Sequence, residues 1–373
     1  MNKHLKRFLI FTAILVLIIA LLVCYVLFVV IKQPTKIQDI TQAPLNQWNR
    51  IELDDTVVSS DGSDYYLLTK KGSSNNVMIY FSGGGANWDE KTADSPITIF
   101  NMMQGKYNYF SRIPYYKLAT MGGILKDDNP DNPFNDWTII YVPYTTGDFH
   151  IGDNLIEYRD DLSVIHNGKK NVQAALAWTY QNIQNPDKLL IAGESAGGFA
   201  TAFWTPEISD HYPQTPTYAY IDSSNITTER WPTIIDQTWN ADFENTFGYK
   251  PQADLIASAL EYNLRNYPSI TFLQSSTMYD VLLMSFESQL NQTVIDDTSK
   301  QAWSSAMKKT LQDLGKYDNY YSFITNEGKT GIQDTTHTIS PANSFYTFKA
   351  NGIPFVEWLS DAVINDAPQS LSD

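Results

Sequence analysis

The residues with the clearest capacity for chemistry in this 373-residue chain are Gly193-Glu194-Ser195-Ala196-Gly197, followed at once by Gly198. An apolar run at 188–192 leads into them and a segment of small residues leads out, so a strand is expected before the turn and a helix after it. That setting suits an attacking hydroxyl. Glycines beside Ser195 let strand and helix approach closely, and the N-terminus of the helix places partial positive charge where an oxyanion would develop. A second glycine-rich turn, Ser82-Gly83-Gly84-Gly85-Ala86-Asn87-Trp88, follows the apolar run Val77–Phe81. It is expected to supply one backbone N–H to that oxyanion, and Ala196, the residue after the serine, the other. The loop lacks the Lys-Ser/Thr pair and the Gly-x-Gly-x-x-Gly spacing that phosphate cradles use.

A serine hydroxyl needs a general base, and the chain has five histidines. His4 precedes the long N-terminal apolar run, His150 and His166 precede the serine, and His211 follows it too closely to arise from a later strand. His337 remains, beyond the last expected strand (Tyr320 to Ile324), and it completes the order Ser, acid, His. Asp280, in a loop after the strand that begins at Ile270, is the expected acid that orients the imidazole. Asp222, which ends the run Tyr218–Ile221 next to the nucleophile, is the rival; its alternative role is to bond backbone at a strand end.

These residues need a scaffold that brings distant turns together. Short apolar runs at Val77–Phe81, Trp137–Val142, Leu189–Ala192, Thr217–Ile221 and Ile270–Leu273 alternate with helical patterns, of which Val172 to Ile183 is the clearest. Strands buried on both faces and separated by helices predict an α/β class fold with a mostly parallel sheet flanked by helices. The Trp-, Asn- and Tyr-rich stretch 225–268 is expected to be a helical insertion over the sheet edge.

Phe8 to Ile31 is apolar throughout, longer than the roughly 20 residues that cross a bilayer. Lys3, Lys6 and Arg7 precede it, which puts the N-terminus inside and the remainder outside. The run is longer than a signal-peptide core and does not end in small residues, so an uncleaved anchor is expected. The expected division is a cytoplasmic tail at 1–7, a transmembrane anchor at 8–31, a polar linker at 32–50 and an extracytoplasmic catalytic domain at 51–373. The sole cysteine, Cys24, lies within the anchor, so no disulfide and no cysteine metal site is expected outside. The formal net charge of -15 makes nucleic acid an unsuitable partner.

Gly83-Gly84-Gly85-Ala86-Asn87-Trp88, Val142-Pro143-Tyr144-Thr145-Thr146-Gly147-Asp148 and Gly193-Glu194-Ser195-Ala196-Gly197-Gly198 together resemble the pectin acetylesterase/Notum family of serine hydrolases over about residues 45–345. The resemblance implies an α/β-hydrolase fold, a triad of Ser195, Asp280 and His337, and oxyanion donors at Gly85, Ala86 and Ala196. It also implies a substrate pocket touched by Trp88 and by His150 or Asp153, with no cofactor and no metal. Plant and animal members carry cysteines where this chain has Ala86, Thr145 and Glu194. The implied activity is removal of an acyl group, expected to be O-acetyl, from an extracellular glycan, and the acidic chain favours a neutral glycan over pectin. A long-chain acyl ester of a lipid or lipoprotein is the alternative substrate, and an inactive glycan- or lipid-binding module the alternative from another class.

Overall fold

The computed structural model describes residues 3–26, 31, 33–126 and 129–373. Positions 27–30 of the expected anchor, 1–2 of the expected tail and 32 of the expected linker lie outside the described residues. The strands are β1 (Thr35–Ile37), β2 (Trp48–Glu52), β3 (Tyr66–Lys70), β4 (Val77–Phe81), β5 (Thr138–Val142), β6 (Asn154–Arg159), β7 (Leu162–His166), β8 (Leu189–Glu194), β9 (Thr217–Asp222), β10 (Thr271–Thr277), β11 (Tyr320–Thr325), β12 (Lys329–Gly331), β13 (Asp334–Thr335), β14 (Lys349–Ala350), β15 (Ile353–Pro354) and β16 (Leu371–Ser372). Ten of them form one sheet in the order β1-β2-β3-β5-β4-β8-β9-β10-β11-β16. From β5 to β16 every pairing is parallel, while β3 runs antiparallel to both of its neighbours.

The strand sequences dictate this burial. In β4, Val77, Ile79 and Phe81 enter one apolar cluster, and Met78 and Tyr80 enter the other on the opposite face. Ile140 and Val142 against Ile139 and Tyr141, and Leu189 and Ile191 against Leu190 and Ala192, repeat the split. Successive side chains of a strand point to opposite faces, so an unbroken apolar run needs cover on both.

The helices are α1 (Lys3–Tyr25), α2 (Glu90–Ala93), α3 (Ile99–Met103), α4 (Gly168–Asn182), α5 (Ala196–His211), α6 (Trp231–Thr233), α7 (Phe243–Phe247), α8 (Leu255–Asn266), α9 (Val281–Asn291), α10 (Asp297–Leu314), α11 (Ser344–Thr347) and α12 (Phe355–Val363). Buried residues of α4, α5, α8, α9 and α10 build the larger cluster, and those of α12 build the other. α1 has 23 residues, a mean hydropathy of 3.1 over its most apolar stretch and no buried residue, so it is long and apolar enough to cross a membrane.

Three expectations need correction. Residues 33–50 are not a tether throughout: β1 pairs in parallel with β2, and Ile37, Ala43 and Asn49 are buried. The strand is three residues long with a Thr-Lys-Ile sequence, too short and polar to register as a periodic run. The insertion at 225–268 does not cover a sheet edge either, since it connects the interior strands β9 and β10. It packs on α5, where Phe243 and Phe247 meet Phe203 with ring centroids 5.1 and 5.5 Å apart. The strand at 270–273 also runs further, to Thr277, through a polar segment whose buried groups are paired: Tyr320 Oη donates to Gln274 Oε1 at 2.6 Å and Ser275 Oγ to Asp222 Oδ1 at 2.9 Å.

Because β1 and the start of β2 complete the sheet, a chain beginning at Ile51 is expected to melt about 5 °C or more below one beginning at Gln33, since each kcal/mol lost shifts the midpoint by about 2–4 °C. Circular dichroism melts of the two chains check this; equal midpoints would return 33–50 to the role of a tether.

Candidate functional site

β8 ends at Glu194 and α5 begins at Ala196, so Ser195 alone makes the turn, with φ 54° and ψ -122°. Such a backbone is strained for a residue with a Cβ, by on the order of 1–3 kcal/mol, and persists only where the surroundings fix it. The Ser195 N–H donates to the Asp222 carbonyl at 2.8 Å, and Ser224 Oγ donates to the Ser195 carbonyl at 2.8 Å. Glycine at 197 is demanded by proximity, because a Cβ there would stand 1.9 Å from the Phe81 carbonyl oxygen.

Asp280 caps α9. Its Oδ1 accepts the N–H groups of Leu282 and Leu283 at 3.1 and 3.0 Å, and its Oδ2 accepts His337 Nδ1–H at 2.7 Å. The chain reaches His337 from β13, which is tied to Asp280 by a parallel bridge at Thr335. His337 Nε2 is buried and has no hydrogen-bond partner among the described residues, and His337 and Ser195 line one cleft. Burial pulls the imidazole pKa down, but the charge and hydrogen bond of Asp280 outweigh it and the net direction is up. Asp222 does something else. Its Oδ2 accepts the N–H groups of Ile339 and Ser340, both at 2.8 Å, and Ser340 Oγ at 2.9 Å, so it fixes the loop that carries His337.

The glycine loop sits at the carboxyl end of β4, beside the Ser195 turn. Gly85 forms an antiparallel bridge with Tyr109, in which Phe110 N–H donates to the Gly84 carbonyl and Ala86 N–H to the Asn108 carbonyl, both at 3.0 Å. In an antiparallel pair the flanking residues then take the bonds and the residue between them is left over. The Gly85 amide is therefore uncommitted, whereas the Ala86 amide is occupied, which removes Ala86 from the expected donors. Gly85 holds φ 81°, and a Cβ there would stand 1.7 Å from the Asn108 carbonyl oxygen. Ala196, as the first residue of α5, has no preceding turn to receive its N–H.

Glu194 escaped the sequence reading as a site residue. Its side chain lies in the same cleft and its Oε1 accepts the Gly83 N–H at 2.9 Å, which ties the glycine loop to the Ser195 turn. Burial raises its pKa, and the charge of Lys117, another cleft residue, opposes the shift. The Lys117 ammonium lies 5.3 Å from the Tyr141 ring centroid. The signal available in the sequence was an acidic residue between Gly193 and Ser195 at a strand end; its partner Lys117, at the start of a short 3₁₀ turn, had none.

Three further expectations move. Trp88 is buried in the core and meets Phe286 edge-on at 5.9 Å, so it supports a cleft residue from behind. His150 is buried too: its Nε2–H donates to the Ser82 carbonyl at 3.0 Å, and burial pushes its pKa down to about 4. It braces the glycine loop as a neutral ring. Asp153 pairs with Lys170 at 2.6 Å on the surface. The cleft itself holds about 360 Å³, with Ile97, Tyr107, Phe110, Leu282 and Phe286 forming its apolar wall. Among the described residues no group of three or more His, Cys, Asp or Glu gathers as metal ligands do.

The model of the family described as pectinacetylesterase matches residues 46–273, more than half of the chain. Two crystal forms of the Wnt deacylase Notum from Drosophila share the fold. One superposes with a TM-score of 0.61 at 14% identity, covering 87% of this chain and 95% of that one; the other gives 0.59, 15%, 87% and 94%. No curated protein sequence matches the chain.

Replacing Asp222 by Ala leaves two buried amides and several hydroxyls without an acceptor. The expected result is a loss of about 3 kcal/mol or more in urea unfolding, since each orphaned group costs about 1–3 kcal/mol. A loss below about 1 kcal/mol would show that the His337 loop does not depend on this carboxylate.

Proposed function

Since the chain belongs to the pectinacetylesterase family, we propose that it is a serine ester hydrolase in which Ser195, His337 and Asp280 form the catalytic triad. The observation that carries this reading is the 2.7 Å bond from His337 Nδ1–H to Asp280, with the opposite ring nitrogen unpartnered in the cleft that Ser195 lines. A neutral imidazole fixed in that tautomer exposes a basic Nε2.

In this mechanism His337 Nε2 takes the hydroxyl proton as Ser195 Oγ bonds to the ester carbonyl carbon. Asp280 stabilises the imidazolium, and the uncommitted amides of Gly85 and Ala196 face the oxyanion. The imidazolium returns its proton to the departing alkoxide and the alcohol leaves. Water then gives a proton to His337 as its oxygen attacks the acyl carbonyl carbon, and the imidazolium passes that proton to Ser195 Oγ as the acyl–oxygen bond breaks and the carboxylic acid leaves. Every step uses groups of this chain, substrate and water.

The acyl group is proposed to be O-acetyl on an extracellular glycan, in line with the family description. A neutral glycan suits a chain of net charge -15 better than an anionic one. The apolar wall of the cleft favours a second reading, a longer acyl chain. α1 is proposed to anchor the domain outside the membrane, with Lys3, Lys6 and Arg7 on the cytoplasmic side.

Hydrolysis of p-nitrophenyl esters from acetate to palmitate distinguishes the two acyl readings. Rates that fall with chain length support acetyl, and rates that rise support a long chain. Ser195→Ala is expected to lose at least about 10³-fold of kcat/KM. An unchanged rate would refute the serine mechanism and leave a binding module as the better account. The pH profile offers a second check. His337 acts only when unprotonated and Asp280 raises its pKa, so kcat/KM rises with pH along a limb above the ordinary imidazole range. Asp280→Asn is expected to move that limb to lower pH and to slow the reaction by up to about 10⁴-fold. A limb that stays in place contradicts the pairing.

A further inference from the structure

The wall of the cleft beside the glycine loop carries an apolar protrusion. Between the cleft residues Ile97 and Tyr107 the chain makes α3, where Ile99, Phe100 and Met103 are 72%, 71% and 83% exposed. Met102, Tyr107 and Tyr115 are exposed as well. The protrusion is built onto the site: Ile97 N–H donates to the Tyr109 carbonyl at 2.6 Å, and Tyr109 is the bridge partner of Gly85. Single exposed apolar side chains are ordinary, but a contiguous group at the mouth of a cleft marks a contact surface.

Two independent observations say what covers it. The first is where the membrane segment emerges. Gln33 Nε2–H donates to the Tyr115 carbonyl at 3.0 Å, so the chain leaving the apolar run is tied two residues from Lys117, which lines the same cleft as Ile97 and Tyr107. The apolar run ends at Ile31, two residues before Gln33, and two residues reach at most about 7 Å. Tyr115 is therefore held close to the level at which the anchor leaves the bilayer. The second is charge. Residues 95–126 contain Lys106, Arg112, Lys117 and Lys126 and no Asp or Glu, in a chain whose net charge is -15. Arg112 pairs with Asp61, and Lys106 is exposed beside α3. Lys106, set among exposed Phe, Met, Ile and Tyr, suits the interface of an anionic bilayer, where tyrosines sit at the headgroups.

We propose that the face comprising residues 97–117 lies on the outer surface of the bilayer that α1 enters, so that the cleft opens at the lipid surface and receives esters carried on membrane-held molecules. The first half stands on the anchor and the surface alone; the second rests on the esterase reading above. It also gives the apolar wall of the cleft a use, since an acyl group can pass from the lipid phase along Ile97 and Tyr107 without crossing water.

The test uses the full chain in phosphatidylcholine–phosphatidylglycerol vesicles. In a Cys24→Ser background, Phe100→Cys, Met103→Cys and, as a control on α10, Lys309→Cys each receive a polarity-sensitive fluorophore. Blue-shifted emission at 100 and 103, quenched by spin-labelled lipid, with a water-like signal at 309, is the expected result. Water-like signals at all three positions overturn the proposal, whether or not the protein hydrolyses esters. For the second half, Ile99→Ser/Phe100→Ser/Met103→Ser is expected to lose at least about tenfold in rate on an acyl ester held in the vesicles while keeping its rate on soluble p-nitrophenyl acetate. Equal rates of variant and parent on both substrates, or equal losses on both, would overturn the claim about membrane-held substrate.

Discussion

Asp222 joins the two halves of the site. Its carbonyl accepts the Ser195 N–H, which helps to hold the strained turn, and its carboxylate accepts the amides of Ile339 and Ser340 just beyond His337. The same carboxylate receives Ser275 Oγ from β10, the strand that delivers Asp280. A fully buried carboxylate is tolerated only where donors surround it. Because those donors come from three separate segments, their relative positions are fixed together. The spacing between serine turn and histidine loop is thus set by a residue that bonds neither the Ser195 hydroxyl nor the His337 ring.

The wider fold supplies what that clasp needs. Apolar strands covered on both faces converge at their carboxyl ends, where parallel sheets place their loops, and the turns after β4, β8 and β10 supply Gly85, Ser195 and Asp280. The tryptophan-rich insertion supports the arrangement from the α5 side. Trp239 Nε1–H donates to the Asn87 carbonyl at 2.8 Å, and its ring meets Phe149 at 5.0 Å, which in turn stacks on Phe199 of α5 at 4.2 Å. Glycine loop, insertion and helix are therefore packed as one body. Glu194 adds a direct tie between the glycine loop and the Ser195 turn.

Much of this was legible because steric demand leaves marks in sequence. A turn that admits no Cβ at 197 shows as glycine, doubly covered strands show as unbroken apolar runs, and a chain with few histidines narrows the choice of base. Position along the chain separated Asp280 from Asp222. What escaped depends on partners that no local pattern announces. The Ala86 amide is taken by Asn108 across an irregular loop. His150 is expected at the pocket from the resemblance of its loop to the one beside the family's active site, yet its bond to the Ser82 carbonyl makes it a buried brace. Trp88 lost its place to Phe286, which stands in front of it. The edge strand β1 is three residues long and gains its identity only from β2.

The central claim is that the strained turn presents an activated serine, and covalent capture tests it most directly. Treating the full chain with a fluorophosphonate and mapping the adduct by mass spectrometry should place one phosphonyl group on the peptide containing Ser195, with labelling slowed by orders of magnitude in His337→Ala. An unmodified Ser195 in the folded protein, or an adduct formed equally fast without His337, would contradict the account.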